Sequence, residues 1–242
     1  MAEKIIRGYI AKIADYNVFD SIVTIVSDDD QILGCFAPGT KKILSKNARH
    51  LIVGNYNENT LFLARPNKLS KLKKTVCIKP IHWQYQQWKT FQIINHYLSH
   101  LNGHVLGSSL MYKQTIKLMS KNNYSDNYLA LHTLIQIIRH LGIHFHFQNC
   151  VYCNSTKNIK TISFEKSGFI CQKCYEESKK KIQLFSPDIL REIYFLFQYN
   201  QPNQELATKD QTFQSLLRKF IWLIDKYGGI NMSSLATTFG NP

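Results

Sequence analysis

The sequence predicts an α+β fold in which a strand-rich N-terminal barrel precedes an α-helical domain that carries an inserted zinc module. Three observations predict it. Segments rich in β-branched and aromatic residues alternate with turn residues up to position 80, apolar residues recur at helical spacing beyond it, and four cysteines form two Cys-x-x-Cys pairs. We therefore expect a barrel over 1–80, a helical domain made of 81–149 and 179–242, and a zinc module over 150–178.

Composition favours a folded protein with a polyanionic partner. Hydrophobic residues make up 44% of the 242 and charged residues 19%, so the chain can bury a substantial core. Its 30 Lys and Arg against 16 Asp and Glu give a net charge of +14, and cations that bind phosphates release condensed counterions. The alternative is the Lys, Asn and Ile bias of AT-rich genomes. A charged N-terminus and the shortness of every apolar run predict a cytoplasmic protein with no membrane partner.

Five strands are predicted in the first 80 residues. The turn residues between them include Asp28-Asp29-Asp30, which we interpret as a hairpin turn, Pro38-Gly39, and the stretch from Asn55 to Asn59. Five short strands suit a small closed barrel because closure removes exposed strand edges; an SH3-like barrel or a small sandwich fits almost as well. The predicted strands are 5–14, 21–27, 31–36, 51–56 and 60–65.

Helical spacing begins at Trp83. Gly142 is a predicted C-terminal cap, Ser186-Pro187-Asp188 is typical of a helix start, and Gly228-Gly229 is expected to end the last long helix. The predicted buried stripes are Trp88, Phe91, Asn95, Leu98 and Leu101; Leu131, Leu134, Ile135, Ile138 and Leu141; Ile189, Ile193, Leu196 and Phe197; and Phe213, Leu216, Leu217, Phe220, Ile221 and Ile224.

The most specific signal is the pair of motifs Cys150-x-x-Cys153 and Cys171-x-x-Cys174, with 17 residues between them. This spacing places four thiolates around one tetrahedral Zn²⁺, and four protein ligands leave no open coordination position, so the predicted site is structural. Two disulfides are disfavoured in the cytoplasm, and a redox Cys-x-x-Cys usually occurs once. His144 and His146 are alternative ligands, although alternating His and Phe is more typical of a half-buried strand. The remaining cysteines, Cys35 and Cys77, are predicted to be core thiols.

In their order along the chain, these parts resemble the RecO family of recombination mediators. The segments that carry the resemblance are Ile6-Arg7-Gly8-Tyr9-Ile10, the stretch 16–25, the basic stretch 37–42 with Ser45, Leu141-Gly142-Ile143 before the first cysteine, and the closing stretch 227–235. The resemblance covers essentially the whole chain. Pro38 and Thr40 depart from the small and basic residues usual in that stretch, and some family members lack the cysteines, so the zinc module is not itself the activity.

The resemblance implies that the first domain is an OB-fold. It also implies a protein that binds single- and double-stranded DNA, anneals complementary strands and helps to load recombinase onto strands coated by single-strand-binding protein. The implied partners are RecR and the C-terminal tail of single-strand-binding protein, and the implied location is nucleoid-associated.

The DNA-binding residues that we predict are cations of the barrel, with aromatic rings beside them as base platforms. The basic run Lys41-Lys42 with Lys46 and Arg49 is the preferred phosphate contact, and the alternative is a solvated loop. The full set of predicted cations is Arg7, Lys12, Lys41, Lys42, Lys46, Arg49, Lys68, Lys71, Lys73 and Lys74. The rings of Tyr9, Tyr16 and Phe19 are candidates either for base stacking or for the core. The run Lys179-Lys180-Lys181 is either a second basic surface or a solvated linker.

No enzyme and no small-molecule substrate are predicted. Catalysis needs positioned acids, bases or nucleophiles, and Asp126 is the only acidic residue between 81 and 149. The sequence also lacks a GxxxxGK[ST] phosphate loop. Two other functions stay open: a zinc-ribbon RNA-binding or ribosome-associated factor, and a protein-interaction scaffold whose charge reflects genome bias.

Overall fold

Strands dominate the first part of the chain and helices the second, and a small sheet interrupts the helices. The structure, a computed structural model, describes residues 2–65, 68–82, 87–121, 123–178, 182–199 and 210–236. The strands are β1 (Glu3–Asp15), β2 (Ser21–Ser27), β3 (Gln31–Ala37), β4 (Tyr56–Phe62), β5 (Ser70–Lys79), β6 (Gly103–His104), β7 (His146–Cys150), β8 (Ile159–Ser163) and β9 (Gly168–Cys171). The helices are α1 (Trp88–Ser99), α2 (Ser108–Ser120), α3 (Asp126–His140), α4 (Gln172–Glu177), α5 (Pro187–Tyr199), α6 (Asp210–Gly228) and α7 (Ser233–Ala236), with a 3₁₀ turn at Ala48–His50.

Contacts divide the chain into two units, residues 1–122 and 123–242. In the first unit, β1 pairs antiparallel with β2 and β4, β2 pairs with β3, and β4 pairs with β5. A parallel pairing of β3 with β5 completes a cycle, and the short β6 adds to β3. Each of the five long strands therefore has two partners among the other four, and β3 has β6 as a third.

The long strand β1 pairs with two neighbouring strands because it bends. Residues 3–9 pair with β4 and residues 8–15 pair with β2, and the register shifts between Ile10 and Lys12. Gly8 lies where the two pairings overlap, and a Cβ there would meet the Val26 carbonyl oxygen at 2.3 Å. The residues that point inward form the core: Ile6, Ile10, Val23, Ile25, Cys35, Ala37, Leu51, Leu61 and Leu72.

The predicted strand 51–56 was wrong, because only Tyr56 of it lies in a strand, and the predicted strand 60–65 is confirmed only over 60–62. The strand β4 runs through Asn57 and Asn59, which the sequence predicted to be in a turn. Both asparagines are buried, and hydrogen bonds compensate their polar groups. Asn57 Nδ2 donates to the His50 carbonyl (2.8 Å) and to Thr75 Oγ1 (2.9 Å). Thr75 Oγ1 in turn donates to Asn59 Oδ1 (2.8 Å). Turn-type residues thus occupy a strand when side-chain hydrogen bonds meet most of their polar groups, and Asn57 Oδ1 is the buried atom of this network that has no partner among the described residues.

The strand β5 was missed for a related reason. Its lysines were predicted to lie in the segment after the last barrel strand, but Lys71, Lys73 and Lys74 are on β5 and point outward, while Leu72 and Thr75 point into the core. A half-buried strand needs apolar side chains on only one face.

Asp30 joins the β2–β3 hairpin to α2 within the first unit. It has a positive φ of 58°, as the predicted hairpin turn allows, and its carboxylate accepts hydrogen bonds from the N–H groups of Gly107 (2.8 Å) and Ser109 (2.9 Å). A carboxylate at this position caps the first turn of α2 and is favoured by the helix dipole.

In the second unit, α3 is the central helix. Every residue from Asn127 to Ile138 is buried, and the helix packs against α5 and α6. Its ends match the sequence signals, because Ser125 Oγ accepts a hydrogen bond from the Tyr128 N–H (3.3 Å) and Gly142 follows with a φ of +71°. The predicted start of α5 at Pro187 is also confirmed, as is the end of α6 at Gly228.

The inserted segment forms a three-stranded sheet in the order β7–β9–β8, with β7 parallel to β9 and β8 antiparallel to it. The α+β class is therefore confirmed, whereas the closed barrel and the four domain boundaries stay predictions. None of the helices in the described stretches is both long and apolar enough to cross a bilayer.

Candidate metal centre and nucleic-acid interface

The four cysteines of the two motifs meet at one end of the three-stranded sheet. Cys150 ends β7, Cys153 lies in the turn that follows, and Cys171 ends β9 directly before α4, which carries Cys174. The first turn is closed by a hydrogen bond from the Asn154 N–H to the Cys150 carbonyl (2.9 Å), and Asn154 has a φ of +60°. We call these four side chains the thiol cluster.

The geometry of the thiol cluster fits a tetrahedral metal ion. Their ligand atoms lie within 4.8 Å of one another, and the Sγ atoms of Cys153 and Cys171 are 3.6 Å apart. Zn–S bonds of about 2.3 Å in a tetrahedron put sulfurs about 3.8 Å apart. All four cysteines are free thiols, with Cys150 and Cys171 buried and Cys153 exposed. The residues present therefore fit a four-thiolate metal site, and neither His144 nor His146 joins the group.

The electrostatics of the thiol cluster favour a cation. Burial disfavours ionisation of the Cys150 thiol, but hydrogen bonds from the backbone of Cys171, Tyr152 and Cys153 lower its pKa to about 6. Contact with the Cys153 thiol raises the pKa of Cys174 well above its usual range. The Cys150 thiol therefore loses its proton more readily than the Cys174 thiol does. A bound divalent cation would favour the thiolate form of all four cysteines.

A group of phenylalanines fixes this module to the helices of its own unit. Phe147 of β7 contacts Phe169 of β9 (ring centroids 4.7 Å apart) and Phe197 of α5 (4.8 Å). Phe164 meets Phe220 of α6 edge-on at 5.1 Å. The module that carries the thiol cluster is therefore attached to α5 and α6 by phenylalanine contacts. Of these phenylalanines, only Phe197 and Phe220 were predicted from the sequence to be buried.

In the first unit, two loops that carry predicted binding residues are joined by hydrogen bonds. The Lys41 N–H donates to the Phe19 carbonyl (3.0 Å), and Lys41 Nζ donates to the Asn17 carbonyl (3.1 Å). The Gly39 N–H donates to Asp20 Oδ1 (2.6 Å), and this bond, with one from the Asn17 amide, holds the pKa of Asp20 below its usual value. Lys42 Nζ lies 5.6 Å from the centre of the exposed Phe19 ring. The structure thus brings Lys41, Lys42 and Phe19 together.

The outward face of β3, β5 and β4 extends this surface. Lys71 on β5 is paired in register with Phe36 on β3 and with Phe62 on β4, so it lies between two rings. Lys73 Nζ is 5.2 Å from the centre of the Phe62 ring, and the Tyr16 ring meets Phe36 edge-on at 5.6 Å. We call Tyr16, Phe36, Lys71, Phe62 and Lys73 the aromatic–basic strip. Phe36 and Phe62 were not predicted from the sequence, although their alternation with buried Cys35, Ala37 and Leu61 indicates an outward position.

Three of the predicted cations already form ion pairs on the surface. Arg7 contacts Glu58 (2.9 Å), Lys41 contacts Asp15 (2.8 Å) and Lys73 contacts Glu3 (2.5 Å). Glu58 raises the pKa of Arg7 through its hydrogen bond and its charge. Exposed pairs of this kind contribute about 0–1 kcal/mol each, so a phosphate competes with the carboxylates at low cost.

The remaining predicted residues are distributed over the same unit. Tyr9 is half-buried and packs against Tyr56 (5.0 Å) and Tyr112 (4.9 Å), an arrangement that favours its core alternative over base stacking. Arg49 Nε donates to His50 (3.1 Å). Lys12, Lys46, Lys68 and Lys74 are exposed, whereas Lys179, Lys180 and Lys181 lie outside the described residues. Of the two thiols predicted to be in the core, Cys35 is buried and Cys77 is half-buried.

The second unit contains a cleft of about 610 Å³ beside the module. Its lining includes Arg139, His144, His146 and the rings of Phe145 and Phe197, and no Asp or Glu among the described residues. A site of this composition suits an anionic group attached to an apolar one.

Comparison with known proteins gives consistent matches. Residues 110–218, which include the thiol cluster, match the family described as recombination protein O C terminal. A relative from Mesoplasma florum named DNA repair protein RecO is 24% identical over 194 residues, which cover 75% of this chain and 70% of the relative. Relatives of the same name from Mycoplasma mycoides subsp. mycoides and Bacillus pumilus are 25% and 21% identical over 90% and 94% of this chain, and over 90% of each relative.

Solved structures add nothing to this identification. An asparaginyl-tRNA synthetase of Entamoeba histolytica is 15% identical over 60% of this chain and 33% of that chain, and its TM-score of 0.28 carries no argument. The sequence matches, in contrast, extend along nearly the whole chain and share one name. The resemblance predicted from the sequence is therefore confirmed: the chain is similar to the RecO family model and to curated proteins named DNA repair protein RecO.

Proposed function

We propose that the chain is a non-enzymatic DNA-binding recombination mediator that holds a strand on the aromatic–basic strip. The observation that carries the proposal is the interleaving of rings and lysines on one outward face. Bases stack on such rings at about 1–3 kcal/mol per base, while lysines neutralise phosphates. The relatives are named for DNA repair, which favours DNA over other polyanions.

We further propose that the strand cycle β1–β2–β3–β5–β4 is an OB-fold barrel. In that fold, oligonucleotides bind across the second and third strands and beside the loop between the first two. Tyr16 and Phe19 are in the loop between β1 and β2, and Phe36 is on β3. Tyr16 and Phe36 of the strip therefore lie on elements that bind ligand in an OB-fold, while Phe62, Lys71 and Lys73 continue the proposed surface onto β4 and β5. Lys41 and Lys42 extend the proposed contact with the DNA backbone.

The thiol cluster is proposed to hold one structural Zn²⁺ through Cys150, Cys153, Cys171 and Cys174. When bound, the ion supplies charge neutralisation and a cross-link between the β7 turn and α4. Because four thiolates fill a tetrahedral site, no position is left for a reacting water. The four cysteines would then have a structural role only, as the proposed mediator function requires.

Strand annealing follows from charge neutralisation. Two complementary strands repel each other through their phosphates, and a cationic surface that binds both lowers that repulsion. We propose that the chain binds single- and double-stranded DNA, anneals complementary strands, and assists recombinase loading onto DNA coated by single-strand-binding protein. RecR is a proposed partner in that assembly.

The cleft at Arg139 is the proposed docking site for the C-terminal tail of single-strand-binding protein. An acidic tail with an apolar end needs a cation beside aromatic rings, and the lining of the cleft contains Arg139 together with Phe145 and Phe197. Arg139→Glu is expected to abolish tail-peptide binding in fluorescence anisotropy, and Arg191→Glu on the exposed face of α5 is the matched control. Equal affinity of both variants would exclude the cleft.

A strand-annealing assay with and without single-strand-binding protein, run beside competition between single-stranded DNA and RNA, tests the function. The proposal predicts faster annealing than in buffer and a preference for DNA. Preferential RNA binding without annealing would favour the RNA-binding alternative, and indifference to both nucleic acids at about 0.1 M salt would leave only a scaffold.

A further inference from the structure

The loop after β3 ends in a hydrogen-bonded turn whose two central residues are large and apolar. The Ser45 N–H donates to the Lys42 carbonyl at 3.0 Å, so Ile43 and Leu44 occupy the projecting positions of a β-turn. Their exposures are 102% and 92%, the highest among the exposed large hydrophobic residues. We call Ile43 and Leu44 the loop tip.

This composition is unfavourable for an ordinary surface turn. Gly, Pro, Asn, Asp and Ser dominate such positions because they fit the backbone or hydrogen-bond to it, whereas Ile and Leu contribute neither. Single exposed apolar residues are normal, but two adjacent ones at a projecting turn form a contact surface that water does not favour. The loop tip is therefore suited to an apolar environment supplied by a partner.

The loop tip is held in place on both sides. Before it, Thr40 is buried with its hydroxyl 2.9 Å from that of Ser21, and the Lys41 N–H is bonded to Phe19. After it, the Ala48 N–H donates to Ser45 Oγ (3.3 Å), and the Asn47 amide oxygen accepts from the Thr75 N–H of β5 (3.2 Å). The loop tip thus projects from a base that is tied to the sheet.

The charges around the loop tip identify a polyanion as the partner. Lys41 and Lys42 precede the tip and Lys46 follows it, and all three are exposed. A partner must therefore present phosphates to the lysines and an apolar interior to the two side chains between them. Stacked bases inside a phosphate backbone combine these features, and the exposed Phe19 beside Lys42 continues the surface toward the aromatic–basic strip.

We propose that Ile43 and Leu44 form a wedge that enters a base step of bound DNA and unstacks it, while Lys41, Lys42 and Lys46 bind the flanking phosphates. Inserted aliphatic side chains open base steps in this way and kink the duplex. The inference rests on the proposed DNA-binding function and adds to it: the chain deforms the DNA that it binds.

The test uses the full-length protein and a duplex with 2-aminopurine, whose fluorescence rises when the base leaves its stack. Wild-type protein is expected to raise the emission at saturation. Ile43→Ser/Leu44→Ser is expected to lose that rise, to keep its affinity within about threefold, and to keep the salt slope because no cation is removed. Leu110→Ser, which removes an exposed leucine from α2, is the matched control and should behave as wild type.

The possible failures are distinguishable. Wild-type protein that binds the duplex without raising the emission, or a double variant that still raises it, overturns the wedge and leaves the proposed function intact. Wild-type protein that binds no DNA overturns both. A Leu44→Trp variant distinguishes DNA from a membrane surface as the partner of the loop tip. Quenching of the tryptophan fluorescence by DNA supports the wedge. A blue shift of that fluorescence with phosphatidylglycerol vesicles, without any change with DNA, assigns the loop tip to a membrane surface.

Discussion

The buried network of Asn57, Asn59 and Thr75 shows how single polar residues determine the sheet. Thr75 Oγ1 accepts from one asparagine and donates to the other inside the core of the first unit. Loss of the Thr75 hydroxyl would leave the buried side-chain amides of Asn57 and Asn59 without that hydrogen-bond partner. Such groups cost about 1–3 kcal/mol each when unsatisfied, more than the methyl group of a valine would return.

Thr75→Val is therefore expected to lower the free energy of unfolding by about 1–3 kcal/mol, measured by urea denaturation. The control is Thr60→Val, on the outward face of β4 and half-exposed, which should change the stability by less than about 0.5 kcal/mol. Equal effects of the two substitutions would show that the network does not stabilise the sheet.

A second residue of this kind is Gly168, where β9 approaches β7. A Cβ would lie 2.4 Å from Val151 Cγ1 and 2.6 Å from the His146 carbonyl oxygen, which is part of the backbone and cannot move aside alone. Gly168→Ala is expected to break the parallel pairing and to lose amide-exchange protection at Phe169. Gly34→Ala, whose added Cβ meets the Leu69 side chain at 3.4 Å, should be tolerated. Unchanged protection in Gly168→Ala would contradict this packing.

At the scale of an element, we infer that the module from β7 to α4 needs a metal ion in the thiol cluster to be well ordered. The three strands are short, and a metal ion would tie the β7 turn to the start of α4. We expect one Zn²⁺ per chain by metal analysis, and we expect Cys153→Ser to lose it together with amide-exchange protection in β8 and β9. Cys77→Ser, a half-buried thiol outside the cluster, should keep the metal. A wild-type protein without stoichiometric zinc would contradict the assignment.

The sequence predicted elements correctly where the element depends on the chemistry of a few adjacent residues. The Ser186-Pro187-Asp188 start, the caps at Gly142 and Gly229 and the cysteine spacing each depend on local chemistry. The failures at β4 and β5 have a different cause. The side-chain amide of Asn57 donates to the hydroxyl of Thr75 on the neighbouring strand and to the His50 carbonyl of the preceding loop, and no local propensity reports such bonds.

The candidate binding surface was predictable only in part for the same reason. Lys41, Lys42, Lys71 and Lys73 were found from charge, but their grouping with Phe36 and Phe62 depends on strand register. A shift of one residue would move these rings to the other face. Tyr9 illustrates the converse, because its packing partner Tyr112 is on α2, which no strand pattern could indicate.

At the scale of the whole molecule, the net charge of +14 is proposed to attract nucleic acid, and the aromatic–basic strip is proposed to be the place where the strand is held. Lysines elsewhere on the surface then contribute weakly to strand binding, and those of the strip contribute both charge and position. Lys113 and Lys117 on α2 are exposed lysines of the same unit and provide the comparison.

The most direct test is the affinity of full-length protein for single-stranded DNA as a function of salt. Lys71→Glu/Lys73→Glu is expected to weaken binding at least about tenfold and to reduce the slope of log K against log salt by about 1.4, since each phosphate contact contributes about 0.7 on single strands. Lys113→Glu/Lys117→Glu should leave the slope nearly unchanged. If the strip variant binds with the affinity and slope of wild type, the strand does not lie on the aromatic–basic strip.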